Sequence, residues 1–78
     1  MEIIETAAFT RRILTLLPDD DYAALQGLLT IQPDLGALIP GGGGIRKLRW
    51  AAKHRGKSGG IRIIYYWVVS HDLIYMLT

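Results

Sequence analysis

Ile61-Arg62-Ile63-Ile64-Tyr65-Tyr66-Trp67-Val68-Val69 is the stretch on which the fold turns. Its β-branched and aromatic residues favour a strand, with Gly59-Gly60 before it and Ser70-His71-Asp72 after it as turn signals. Its longest apolar run, from Ile63 to Val69, falls far short of the roughly 20 residues that cross a bilayer, so no contact with a membrane is expected. Strand side chains alternate between faces. The odd positions Ile61, Ile63, Tyr65, Trp67 and Val69 therefore form a wholly apolar face that has to meet a core, while Arg62, Ile64 and Tyr66 turn the other way.

Upstream, residues 45–52 read as the partner strand, in which Leu48 and Trp50 share the core face and Lys47 and Arg49 share the opposite one. Burying both apolar sets on one side fixes the parity of the hairpin. Pairing position 52 with 61 then sets Arg49 opposite Ile64 and Lys47 opposite Tyr66, with Arg62 diagonally near Arg49. A last run over 72–78 completes a meander.

The first forty residues supply the other layer. Residues 2–5 suit a short strand, and Thr6 is a helix N-cap for a segment through 17 with Phe9, Ile13, Leu16 and Leu17 at helical spacing. Pro18 stands where a second helix begins, followed by Asp19, Asp20 and Asp21 in a first turn whose free N–H groups favour carboxylates. Tyr22, Leu25, Leu28 and Leu29 form its apolar stripe, which stops at Gln32 ahead of Pro33. Residues 33–44, ending in four glycines, read as a linker. The expected fold class is α+β: two N-terminal helices packed on a small antiparallel sheet of 2–5, 45–52, 61–69 and 72–78, with Leu48, Trp50, Ile63 and Trp67 buried.

Seventy-eight residues suffice for one domain, residues 1–78. There is no cysteine, hence no disulfide framework and no cysteine zinc site, and at 50% hydrophobic and 21% charged the chain is too apolar for disorder. A folded protein of the reducing cytoplasm is expected.

The net charge of +2 hides a division. Residues 1–40 carry Arg11 and Arg12 against six carboxylates, whereas residues 41–78 carry seven cations, all between 46 and 62, against Asp72 alone. That concentration suits a polyanion, nucleic acid first, although a solvated hairpin kept soluble by its charges has the same composition. Lys47, Arg49, Arg62 and Tyr66 share the face away from the helices, with Lys53, Arg55 and Lys57 on the loop above. Cleavage of RNA by a 2′-hydroxyl attacking the adjacent phosphate needs proton transfer and stabilisation of a charged phosphorane, and clustered cations supply the second. An Arg grips phosphate bidentately, a Lys among like charges can exchange protons, and Tyr66 can stack on a base. Passive anion binding uses the same residues and stays open beside catalysis.

Residues 51–58 match a loose phosphate-loop pattern, but Gly59-Gly60 and a β-branched run follow where that motif needs a helix, so the match carries no function. His54 and His71 have no ligand-spaced partner, so neither a metal nor a cofactor is expected.

The strands Gly43-Gly44-Ile45-Arg46-Lys47-Leu48-Arg49 and Gly59-Gly60-Ile61-Arg62-Ile63-Ile64-Tyr65-Tyr66, with Leu35-Gly36 before them, resemble the RelE superfamily of bacterial toxins, most closely its HigB-like branch. The resemblance spans essentially the whole chain. It implies the toxin of a type II toxin–antitoxin pair, two helices on an antiparallel sheet, and ribosome-dependent endonucleolytic cleavage of messenger RNA. It also implies a cognate antitoxin, the ribosome and mRNA as partners, and a cytoplasmic location. Its RNA-lining positions map onto Lys47, Arg49 and Arg62 as catalytic residues. Members of the branch continue past this point with a Tyr-x-Lys-like segment and a C-terminal helix, so the resemblance implies a C-terminally incomplete domain. Such a domain either keeps the endoribonuclease activity or only binds antitoxin or RNA. With Ile64, Tyr66 and the last strand left uncovered, it is expected to self-associate as a homo-oligomer.

Overall fold

A computed structural model of the chain describes residues 1–51 and 60–78. Thr6 starts the first helix as its N-cap: its backbone is extended and its hydroxyl accepts from the Phe9 N–H at 3.1 Å. The same hydroxyl donates to the carbonyl of Leu77 at 2.8 Å, which ties the beginning of the chain to its end. Helix α1 runs Ala7–Leu16, and α2 runs Asp19–Ile31 with Pro18 as its N-cap residue and Asp19, Asp20 and Asp21 in its first turn. Asp21 is buried there, and its Oδ2 has no partner among the described residues. Helix α2 stops at Ile31, with Gln32 as C-cap immediately before Pro33.

The two helices pack on a five-stranded sheet of order β1-β5-β4-β3-β2, built from β1 (Glu2–Glu5), β2 (Ala37–Leu38), β3 (Ile45–Trp50), β4 (Ile61–Val68) and β5 (Leu73–Met76). The architecture is the α+β arrangement read from the sequence. Three of the four strand pairs are antiparallel, and β1 joins β5 in parallel, Glu2 opposite Leu73 through Glu5 opposite Met76, which makes the sheet mixed. Alternation within β1 shows that it is a strand but not which way its distant partner runs. Strand β2 lies inside the segment read as a linker; two residues are too few for a periodic signal.

The β3–β4 register differs from the expected one by two residues. Trp50 pairs with Ile61, so Arg49 lies opposite Arg62 and Lys47 opposite Ile64. Gly60 gives the physical reason. Its φ is +78°, and a Cβ there would stand 2.0 Å from the Trp50 carbonyl oxygen, so the chain pinches together at this point and β3 ends at Trp50. A shift of two preserves parity, so the paired residues of β3 and β4 keep the faces assigned to them, whereas Val69, expected to face the core, lies past the end of β4 in the turn and is exposed.

The core joins Phe9, Ile13, Leu17, Leu25 and Leu29 of the helical layer to Ile61, Ile63 and Tyr65 of β4 and Ile74 and Met76 of β5. Ile63 is fully buried as expected, whereas Leu48, Trp50 and Trp67 pack against the core only half-buried. No residue of β3 is fully buried, because its outer neighbour is the two-residue β2 and the helices cover β4 and β5. Tyr65 fastens the 33–36 segment beneath the sheet: its hydroxyl donates to Pro33 O at 2.7 Å and accepts from Gly36 N at 2.8 Å. Arg46 donates to Gly36 O at 2.7 Å, so its guanidinium is engaged with backbone. Burial pushes the Tyr65 phenol above its ordinary pKa, as it does for Tyr22, which also donates to the Glu5 carboxylate. No helix among the described residues is long and apolar enough to cross a membrane.

Candidate functional site

Pairing and alternation place Lys47 and Arg49 of β3 on the sheet face turned from the helices, beside Arg62, Ile64 and Tyr66 of β4. Tyr75, opposite Tyr66, and Leu77 continue that face toward the end of the chain. Lys47, Arg49 and Arg62 are exposed, and with Ala37, Ile39 and Ile64 they line an open hollow of about 490 Å³. Ala37 and Ile39, contributed by β2 and the residue after it, form a wall that sequence reading missed, for want of any periodic signal in 33–44.

Hydrogen bonding sharpens the geometry of the three cations. Leu77 N–H donates to Ile64 O at 2.8 Å, on the β5 side of β4, so the even residues of β4 turn their amides away from β3. Arg49 and Arg62 are therefore a non-hydrogen-bonded antiparallel pair, the kind whose Cα atoms lie closest, at about 4.5 Å, with side chains nearest each other. Two arginines thus occupy directly paired cross-strand positions, where like charges repel. The Arg62 carbonyl, directed past the end of β5, accepts from Nη2 of Arg12 at 2.8 Å, which anchors the strand under the site from α1. Arg12 was not singled out by its sequence, since nothing but position distinguishes it from Arg11.

Tyr66 sits four residues along β4 from Arg62 and directly opposite Ile45, half-buried. Its ring lies against Gly44, where φ is +105° and a Cβ would be 2.9 Å from the Tyr66 Cε1, so a bare backbone is required beneath it. Tyr66, Ile45, Leu77, Gly42 and Gly43 line a second, shallow and open hollow of about 220 Å³.

Thus Lys47, Arg49 and Arg62 come together as expected, and Tyr66 shares their face at the other end of the strand. Lys53, Arg55 and Lys57, together with His54 and the phosphate-loop-like stretch, lie outside the described residues, save for Ala51 at the start of that stretch. His71 is exposed in the turn after β4, with its Nδ1 3.0 Å from Ser70 Oγ, nine positions from Arg62 and apart from the cluster.

Chemically, two adjacent guanidinium forks and an ammonium group present many N–H donors and no acceptor, which fits the oxygens of a phosphodiester. No carboxylate or imidazole lines the hollow among the described residues. No protein-family model matches the chain.

Proposed function

We propose that this protein is an RNA-cleaving toxin of a type II toxin–antitoxin pair, acting in the cytoplasm on messenger RNA at the ribosome and held in check by an antitoxin protein. The observation that carries the reading is the direct cross-strand pairing of Arg49 and Arg62, with Lys47 beside them, on an open hollow without a carboxylate among its described lining residues. An anion that bridges such a trio is attracted by all three positive charges at once. The resemblance of both strands to the RelE superfamily supports an RNA phosphate as that anion.

In this reading Arg49 and Arg62 grip the non-bridging oxygens of one phosphate. The 2′-oxygen of the preceding ribose attacks phosphorus as its proton leaves to solvent at this open face, and the developing dianionic phosphorane is stabilised by the two guanidinium groups. The bond from phosphorus to the 5′-oxygen then breaks, and Lys47 donates a proton to that oxygen. One fragment ends in a 2′,3′-cyclic phosphate and the other begins with a 5′-hydroxyl. Incubation with programmed ribosomes, followed by end-group analysis, tests this. Those two ends are expected, and a single 2′-deoxyribose at the cleavage position abolishes cleavage; a 5′-phosphate product or an uncut messenger contradicts it.

A second reading, binding of RNA or antitoxin without cleavage, is favoured by one specific feature: among the described residues the lining holds no carboxylate or imidazole to accept the 2′-hydroxyl proton. An uncut messenger that is nevertheless bound in an Arg62-dependent way selects it.

A further inference from the structure

The Tyr66 hollow is not used by the phosphate chemistry, yet it opens on the same face of the same strand. Four residues at about 3.3 Å each put Tyr66 about 13 Å from Arg62, within the span of a short stretch of single-stranded RNA. We propose that this hollow takes a nucleobase of the RNA strand whose phosphate sits on Arg49 and Arg62, with the base stacked on the Tyr66 ring. The proposal rests on the reading of the cationic face as an RNA site.

Several features make the hollow a base site. Its walls are the aliphatic side chains of Ile45 and Leu77, the phenol ring and bare glycine backbone, which suits a flat, weakly hydrated ring. The ring lies close over bare backbone at Gly44, where a Cβ would stand 2.9 Å from its Cε1. Gly43 carries a positive φ of 67°, and its N–H and that of Gly44 donate to no acceptor among the described residues, which leaves two main-chain donors next to the hollow for acceptors on a base edge. Charge on the shared face favours a nucleobase over an apolar side chain of a protein partner. The hollow lies on the same sheet face as three clustered cations, and among the described residues no acidic residue lines either hollow, which suits a polyanion that carries flat rings.

The test is a binding series with short single-stranded RNAs, just long enough to cover the face and identical except for one abasic site moved along the strand. Wild-type protein is expected to lose roughly 5- to 150-fold in affinity when the abasic site falls at one position, the range typical of one base stacked on an aromatic residue. Y66I, a strand-compatible change that removes the ring, should lose the same factor against intact RNA and lose nothing more when the abasic site stands at that position. Y66F, which keeps the ring, should bind as wild type. R62A should weaken every RNA alike and reduce the salt dependence. An abasic scan of wild type without a sensitive position, or Y66I binding intact RNA as wild type does, overturns the base site while an R62A loss leaves the phosphate reading in place. An R62A protein that binds normally yet keeps the Tyr66-dependent position does the reverse. The wild-type scan needs no variant to fold.

Discussion

If Arg49 and Arg62 are held together for an anion, relieving their repulsion should make the free protein more stable. Arg62→Thr removes one charge, keeps a strand-favouring residue, and leaves intact the backbone carbonyl that Arg12 binds. Two unit charges about 7 Å apart in water repel by about 0.6 kcal/mol, within the range of roughly 0.2–1 kcal/mol typical of cross-strand pairs. For a domain of this size that is a rise in Tm of about 2–5 °C. Thermal melts followed by circular dichroism at 10 mM and at 1 M salt separate the charge effect from the propensity effect, since at 1 M the screening length falls to about 3 Å and only the propensity effect remains. Arg62→Lys, which keeps the charge, should show no salt-dependent gain. A gain equal at both salt concentrations, or Arg62→Thr less stable than wild type at 10 mM, would refute the idea that this pair stores repulsion.

Gly60→Ala should cost at least about 3 kcal/mol or abolish cooperative folding, because it combines a left-handed φ with a Cβ 2.0 Å from the Trp50 carbonyl; urea titration measures it. Stability should be fully present below about pH 10 and fall as pH rises above it, because the unfolded chain deprotonates its tyrosines there while folding holds the Tyr22 and Tyr65 phenols neutral to higher pH. Tyr22→Phe should flatten that fall in urea titrations between pH 9 and 11. Self-association through the open outer face should appear in sedimentation at high protein concentration and be reversed by single-stranded RNA, since both need Ile64 and Tyr66; oligomers indifferent to RNA would place the contact elsewhere.

Much of this was legible because alternation in β4 is strong. The odd set from Ile61 to Tyr65 could go nowhere but the core, and that alone placed Arg62 on the outer face with Lys47 and Arg49. The helices were readable from Thr6, Pro18 and Pro33, residues whose chemistry starts or stops a helix. The register was not readable, because it depends on how closely Gly60 approaches Trp50, a contact that composition does not reveal. Nor was the parallel β1–β5 pairing, made between opposite ends of the chain, or the β2 wall, which is two residues long. The half-exposure of Trp50 and Trp67 has the same origin: alternation gives the side a residue faces, and the cover over that side depends on where the helices come to lie.

The central claim is that the apposed cations act on a scissile phosphate, and single-turnover cleavage of messenger on saturating programmed ribosomes by wild type and Arg62→Ala tests it most directly. The account predicts a rate lower by about 100-fold at saturation, the loss typical of one preorganised charge donor, with the variant still bound to the ribosome. An Arg62→Ala rate equal to wild type would contradict it.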